Sequence, residues 1–164
     1  MLIYLVRHGE AEKTMENGIL DDERDLSDLG RKKIKKQAKG MAAIKICPDV
    51  IITGPAKRAS ETALIIAKEL DMEEKIEECQ EITPDGDADK IVSLLCDRSP
   101  MENVMVIGHE PSIGKVASVL LGSIKSIIEF KKGSVCCLEI LDRPDTGEGK
   151  LKYHLSPKQL RKMA

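Results

Sequence analysis

The apolar run from Leu2 to Val6 ends abruptly at Arg7-His8-Gly9-Glu10. A continuous run of β-forming residues is typical of a strand that is covered on both faces, as in a parallel sheet flanked by helices. Such a strand carries Arg7 and His8 to its own carboxyl edge. Ligands of open α/β sheets bind along that edge. The beginning of the chain therefore predicts both a class of fold and the position of a functional site.

Segments with strand-like and helix-like patterns alternate along the rest of the chain. Strands are predicted at residues 2–6, 49–53, 104–107, 134–141 and 151–155, helices at 28–43, 56–70, 87–96, 111–121 and 157–163, and the acidic stretch 69–81 has room for one short strand. This alternation predicts an α/β fold with a mostly parallel sheet flanked by helices on both faces. The sequence has neither repeats nor a linker-like stretch, so residues 1–164 are expected to form a single three-layer αβα domain.

The balance of charges argues against nucleic acid as a ligand. The chain has 26 basic and 28 acidic residues, a net charge of −2, no Trp, one Phe and two Tyr. A protein that neutralises the phosphates of DNA or RNA usually has a basic excess, and one that binds single strands stacks bases on aromatic side chains. Neither property is present, and no nucleic acid partner is expected.

The hydrophobic and cysteine patterns predict a cytoplasmic protein without membrane contact. No apolar stretch approaches the ~20 residues of a membrane helix, and Arg7 interrupts the N-terminal run too early for a secretory signal. The five cysteines are odd in number and lack Cys-x-x-Cys spacing. Neither a disulfide framework nor a metal site is expected from them, and we interpret all of them as small buried hydrophobic residues.

Two further predicted strand ends carry residues of the same kind. Gly54-Pro55 leads from the second strand into a helix whose first turn contains Arg58, and His109 follows the strand at 104–107 after one glycine. If these strands are parallel, Arg7, His8, Arg58 and His109 gather along one edge of the sheet.

These residue types suit a phosphate group. A planar guanidinium binds two oxygens at once and keeps its charge, and a helix N-terminus adds backbone donors. A neutral histidine can attack phosphorus through a ring nitrogen, while a protonated one can stabilise charge on the phosphoryl oxygens. Neighbouring arginines disfavour the charged form of a histidine, which keeps it nucleophilic near neutral pH. Each residue alone is more simply explained as structural or solvated, so the prediction depends on their joint occurrence.

Three motifs at these strand ends resemble the histidine phosphatase superfamily, which includes the cofactor-dependent phosphoglycerate mutases and acid phosphatases. They are Leu-Val-Arg-His-Gly-Glu at 5–10, Gly-Pro-Ala-Lys-Arg-Ala-Ser-Glu-Thr-Ala at 54–63 and Val-Ile-Gly-His at 106–109. The chain is most similar to the small branch of SixA-like phosphohistidine phosphatases, through its short length, Asp-Leu-Ser-Asp-Leu-Gly at 25–30 and Glu-Ile-Thr-Pro-Asp-Gly-Asp at 81–87. The resemblance implies a phosphoglycerate mutase-like fold.

The same resemblance implies a mechanism without a metal or other cofactor. His8 would be the nucleophile, phosphorylated in a covalent intermediate that water hydrolyses, and Arg7, Arg58 and His109 would bind the phosphoryl group. Larger members carry a glutamate that protonates the leaving group. Glu81 is the nearest candidate for that acid here, and a solvated surface carboxylate is the alternative interpretation. Gly54 stands where the family usually has Ser.

Three functions remain open for such a chain. The favoured one is a phosphatase that acts on phosphohistidine of a protein partner, because a short chain lacks the large insertions that roof the site in bigger relatives. The alternatives are a phosphomonoesterase for a small phosphorylated metabolite, such as a sugar phosphate or a nucleotide, and a non-catalytic phosphate-binding scaffold. The basic run at 31–36 is interpreted as a solvated helix face, with steering of an acidic protein substrate as the alternative.

Overall fold

Six strands and five α-helices make up the regular structure of the described part of the chain, apart from two short 3-10 turns at Asp21–Glu23 and Glu73–Lys75. The computed structural model describes residues 1–13, 21–98 and 101–164. The strands are β1 (Leu2–Arg7), β2 (Val50–Thr53), β3 (Ile76–Glu78), β4 (Asn103–Gly108), β5 (Val135–Ile140) and β6 (Gly149–Leu155). The helices are α1 (Asp28–Ala43), α2 (Lys57–Glu69), α3 (Ala88–Asp97), α4 (Ser112–Leu120) and α5 (Pro157–Met163). Each predicted element is present with its ends close to the predicted ones, and β3 is the short strand expected in the acidic stretch.

All of these strands form one sheet, in the order β3-β2-β4-β1-β5-β6. β3, β2, β4 and β1 are parallel, whereas β5 runs antiparallel to β1 and β6 antiparallel to β5. β4 separates the first two strands of the chain, since Val106 is aligned with Leu5 of β1 on one side and with Ile52 of β2 on the other. The prediction of a mostly parallel sheet is confirmed.

Helices cover both faces of the sheet and create two hydrophobic cores. Ile3 and Leu5 of β1 point into the core formed with α3 and α4, and Tyr4 and Val6 point into the core formed with α1, α2 and α5. Burial on both faces is why the first strand is apolar at every position rather than at alternate ones. The predicted three-layer αβα arrangement is confirmed.

The chain changes face at the strands that carry the candidate residues. The helices that follow β1 and β2 pack on one face of the sheet, and the helix that follows β4 packs on the other. Because β4 lies between β1 and β2, these connections diverge above the carboxyl ends of the three strands. Such a divergence opens a crevice in which α/β proteins bind their ligands.

The loop after β1 is fixed to the start of α1. The Ser27 hydroxyl accepts the Gly30 N–H at 3.0 Å, as an N-cap should, and donates to the Glu10 carbonyl at 3.2 Å. One side chain therefore both starts α1 and holds the segment that follows His8.

The turn after β2 packs tightly against the loop after β3. A Cβ atom at Gly54 would lie 1.8 Å from the carbonyl oxygen of Ile82, so a side chain at this position requires the backbone to move. The path of the loop around Ile82 therefore leaves no room for a serine side chain at position 54. The same loop carries Glu81.

The cysteines follow the expectation only in part. Cys136 and Cys137 are buried in opposite cores, as adjacent strand residues should be, and both are free thiols. Cys79 and Cys96 are partly buried, and Cys47 is exposed, so the interpretation of all five as buried hydrophobic residues is wrong for Cys47. Among the described residues, no helix combines the length and the apolar composition that a bilayer crossing requires.

Candidate active site

Three neighbouring strands bring the predicted residues to one edge of the sheet. Arg7 ends β1 and His8 follows it, Arg58 is the second residue of α2 just beyond β2, and His109 follows β4. The rings of His8 and His109 lie 4.9 Å apart between centroids, and Arg58 Nε lies 3.4 Å from His8 Nε2. His8, Arg58 and His109 are 7%, 3% and 1% exposed, so their polar atoms meet each other largely without water.

The backbone sets the tautomer of His8. Its Nδ1 lies 2.7 Å from the carbonyl oxygen of Gly9, which can only accept a hydrogen bond, so the proton of the neutral ring sits on Nδ1. Nε2 then keeps its lone pair and accepts the weak hydrogen bond from Arg58 Nε. The Gly9 N–H donates to Thr62 Oγ1 at 3.0 Å, and that hydroxyl donates to the Arg58 carbonyl at 2.6 Å. The loop that carries His8 is thereby tied to the first turns of α2.

Both histidines are held in the neutral form. Burial lowers the pKa of His8 from 6.5 to about 3; the Gly9 carbonyl opposes this shift, and His109, Arg58 and Arg7 add to it. Burial likewise lowers the pKa of His109 to about 4, with Arg58 and Arg7 contributing in the same direction and Asp21 opposing them. The arginines act in the expected direction, and burial is the larger cause. With a pKa of about 4, the His109 ring is neutral at pH 7 and can donate only one N–H.

Several buried polar atoms at this edge have no hydrogen-bond partner within the described residues. They are Arg7 Nε and both ring nitrogens of His109. A buried donor without a partner costs about 1–3 kcal/mol, so such groups are normally satisfied by a ligand, water or another side chain. A tetrahedral oxyanion beside His8 Nε2 offers acceptors to the Arg7 and His109 donors. No group of His, Cys, Asp and Glu side chains suited to a metal ion occurs in the described ranges.

Each arginine is positioned by a residue that the sequence did not single out. Arg7 Nη1 donates to the Phe130 carbonyl at 2.7 Å, and the Phe130 N–H donates to Glu110 Oε1 at 3.2 Å. Arg58 Nη2 pairs with the Asp21 carboxylate at 2.8 Å. Phe130 acts through its backbone, which no side-chain pattern reveals, and Asp21 stands in an ordinary acidic stretch. The sequence indicates a role for Glu110 near the site only through its position directly after His109.

Glu81 makes no polar contact with this cluster among the described residues, although its loop packs against Gly54 and Gly108. Its side chain is exposed, and its carboxylate accepts a hydrogen bond from Cys79 Sγ at 2.8 Å. The Cys79 hydrogen bond holds the pKa of Glu81 below its usual value, which disfavours the protonated form that an acid must have. No hydrogen bond or ion pair joins Glu81 to the two histidines and two arginines among the described residues.

Comparisons with known proteins identify the family of this chain. Residues 3–83 match the model of the histidine phosphatase superfamily (branch 1). A Haemophilus influenzae protein named phosphohistidine phosphatase SixA homolog is 30% identical over 147 residues, which cover 84% of this chain and 87% of that protein. The chain belongs to the histidine phosphatase superfamily and is a phosphatase. Within the superfamily it falls in the SixA-like branch.

Solved structures show the same fold. The protein histidine phosphatase SixA complexed with tungstate superposes with a TM-score of 0.86 at 23% identity, covering 98% of this chain and 99% of that one. The alpha-ribazole phosphatase from Shigella flexneri superposes with a TM-score of 0.77 at 12% identity, covering 96% of this chain and 97% of that one.

A second relative by sequence matches only part of the chain. The mitochondrial serine/threonine-protein phosphatase Pgam5 of Drosophila yakuba is 38% identical over 78 residues, which are 47% of this chain and 26% of that protein.

The neutral histidines predict a loss of stability in acid. In the unfolded chain both rings take up a proton near pH 6.5, whereas in the folded protein they do so only near pH 3 and pH 4. Between these values the unfolded state binds more protons, so the free energy of unfolding falls as the pH is lowered. Each histidine contributes a loss of about 2 kcal/mol at pH 5 relative to pH 8.

Urea unfolding at pH 8 and pH 5 tests this expectation. His109→Asn removes one of the two rings, and the variant should lose about 2 kcal/mol less stability between the two pH values than the unchanged protein. His8→Asn should give a similar reduction. If both variants lose as much stability as the unchanged protein, the histidines are not buried in the neutral form.

Proposed function

We propose that this phosphatase transfers the phosphoryl group to Nε2 of His8 and that its substrate is phosphohistidine on a protein partner. One observation carries the catalytic part of this proposal. The Gly9 carbonyl holds the His8 proton on Nδ1, which leaves the Nε2 lone pair facing a cluster of cationic and unpartnered donors. A nucleophile beside preorganised donors is what phosphoryl transfer requires of a protein.

The reaction divides into two displacements at phosphorus. In the first, the substrate imidazole carries a proton from solvent on its other ring nitrogen. A bond forms between His8 Nε2 and phosphorus while the bond from phosphorus to the substrate nitrogen breaks, and the imidazole leaves as a neutral ring with the electron pair of the broken bond. In the second, water attacks phosphorus, the electron pair of the broken bond returns to Nε2, and inorganic phosphate leaves with both protons of the water. Arg7 and Arg58 balance the charge on the phosphoryl oxygens in both steps. The arriving dianion also raises the pKa of His109, so that this ring can gain the proton that it lacks in the free protein.

The surroundings of His8 favour a leaving group that needs no protein acid. Among the described residues, Glu81 accepts a hydrogen bond from Cys79 and Asp21 pairs with Arg58. Burial raises the pKa of Glu110, but its carboxyl group accepts the Phe130 N–H and belongs to the chain of contacts that positions Arg7. Although burial opposes the shift, the pKa of Asp21 is low because of Arg24 and Arg58. An alkoxide leaving from a phosphate ester needs a proton from such a group, whereas an imidazole that is protonated on its ring leaves as a neutral molecule. The name of the Haemophilus influenzae relative supports the same substrate.

A substrate panel tests the proposal. The value of kcat/KM is measured for a protein domain that carries phosphohistidine, for free phosphohistidine, and for sugar phosphates and nucleotides, with His8→Asn as the inactive control. We expect the phosphohistidine substrates to be preferred by more than tenfold. A clear preference for the esters would instead identify a small-molecule phosphomonoesterase, and no turnover of any of them would favour a phosphate-binding scaffold.

Replacing Glu81 distinguishes the two interpretations of that residue. Glu81→Gln keeps the size of the side chain and removes its acidity. Because the carboxylate is exposed and bonded to Cys79, we expect kcat for phosphohistidine and for an aryl phosphate to change less than about threefold, far below the 10²–10⁴ that a general acid contributes. A loss of a hundredfold or more on the aryl phosphate, with a shifted pH profile, would restore Glu81 as the acid.

A further inference from the structure

The solvent side of α1 is strongly basic. Its buried stripe, which includes Ile34, Ala38 and Met41, packs into the protein, and the opposite side carries a row of lysines. Together with neighbours from α5 and from the segment before β5, they form a surface that we call the basic face: Lys32, Lys33, Lys35, Lys36, Lys39, Lys132 and Arg161. This concentration of positive charge occurs in a chain whose net charge is −2, so charge is segregated on the molecule.

Most of this charge has no partner within the described residues. Lys33 pairs with Glu10 at 2.8 Å, and Lys35 pairs loosely with Glu69 at 3.7 Å. The ion pairs of the described part of the chain include none of the other members, which are Lys32, Lys36, Lys39, Lys132 and Arg161. Repulsion among five such charges is unfavourable unless an acidic surface or counterions compensate it.

The basic face continues to the loop that follows β1 and carries His8. A groove of about 480 Å³ runs between the lysine side chains, and the half-exposed Leu29 contributes an apolar patch to it. A second cavity of about 170 Å³ shares Lys33 and Arg161 with that groove and reaches Gly9. Gly9 is the residue whose carbonyl orients His8. The basic face thus extends to the loop that carries His8, although the His8 ring itself lines neither cavity.

We propose that the basic face is the docking surface for an acidic surface of the phosphorylated protein partner. Charge complementarity supports this occupant, because unpaired lysines and an arginine would meet carboxylates of the partner while its phosphohistidine approaches His8. Complementary surfaces of this kind raise the rate of association and set the orientation of the partner. This inference rests on the proposed function for its substrate, and it predicts that protein substrates depend on the basic face whereas small ones do not.

Charge reversal tests the inference. The variant Lys32→Glu/Lys36→Glu/Lys39→Glu alters the basic face, and the control Lys90→Glu/Lys115→Glu/Lys150→Glu makes the same change in net charge at exposed lysines elsewhere. For a phosphohistidine-bearing domain of net negative charge, we expect kcat/KM of the first variant to fall by about tenfold or more and to lose its salt dependence. For the control, kcat/KM on the same domain should change less than about threefold. Both variants should hydrolyse an aryl phosphate at the rate of the unchanged protein. A variant with Gln at the same three positions removes the positive charges without adding negative ones. It should show a smaller loss of kcat/KM, and it tests the proposal should the charge-reversed variant fail to fold.

Binding to the unphosphorylated form of the same domain separates this proposal from the proposed function. Its affinity, followed by fluorescence anisotropy, should fall in the first variant and not in the control even if phosphate esters prove to be the better substrates. Equal behaviour of the two variants, or binding that is insensitive to salt, would overturn the docking surface. So would selective binding of the basic face to vesicles of anionic lipid without binding to the acidic domain.

Discussion

Replacing His8 with Asn or Ala is expected to abolish turnover of every phosphorylated substrate. Asn keeps a polar group near Gly9 but has no ring nitrogen that could form a bond to phosphorus. Since His8 Nε2 lies beside Arg58 in a nearly water-free position and Asn supplies no such nitrogen, the rate should fall by at least about 10⁴-fold. Rapid mixing of the unchanged protein with labelled substrate should trap acid-labile phosphate on the protein. The His8 variants should carry no such label.

The variant must be shown to keep its site. His8→Asn retains Arg7, Arg58 and His109, so it should still bind tungstate or inorganic phosphate with an affinity within about tenfold of the unchanged protein. Normal binding with lost turnover assigns His8 to the chemical step. If the variant keeps a tenth or more of the activity, or if acid-labile label persists, the nucleophile lies elsewhere.

Replacing Arg58 with Ala is expected to lower kcat/KM by about 10²–10³-fold, the scale on which removing one preorganised donor to transition-state charge acts. The guanidinium is 3% exposed and is aimed at His8 Nε2, so its charge acts without much screening by water. The loss should be larger in kcat than in KM, because we expect Arg58 to stabilise the charge on the phosphoryl oxygens more strongly in the transition state than in the bound substrate.

Lys57→Ala is the matched control. Lys57 precedes Arg58 on the same turn of α2, but its exposed side chain pairs with Asp25 at 2.7 Å, away from the histidines. We expect less than a threefold change in kcat/KM for this variant. Arg58→Lys should recover only part of the loss, because an ammonium group cannot bind Asp21 and an oxyanion as a planar fork does. An Arg58→Ala enzyme that works at a near-normal rate would remove Arg58 from the site.

The sequence predicted the elements and the edge at which the candidate residues meet, because those features depend on local patterns. Apolar runs marked the buried strands, and Ser27 marked the start of α1. The order of strands and the reversed direction of β5 were not predictable, since pairing between distant segments leaves no local signature.

The parts of the site that sequence reasoning missed depend on tertiary contacts. The neutral state of His109 follows from its almost complete burial, which the tripeptide around it does not indicate. Phe130 holds Arg7 through a carbonyl group, and any residue type has one. The chemistry of Glu81 suited an acid, but the direction of its side chain is set by Cys79 in the same loop.

The position of β4 has a consequence for biosynthesis. β4 ends at Gly108, yet it fills the slot between β1 and β2, which are translated much earlier. When only the first half of the chain has emerged from the ribosome, His8 at the end of β1 and Arg58 at the start of α2 lack the strand that lies between β1 and β2. The centre of the sheet closes only after residue 108 emerges, so no amino-terminal fragment that stops short of this strand should release a working enzyme.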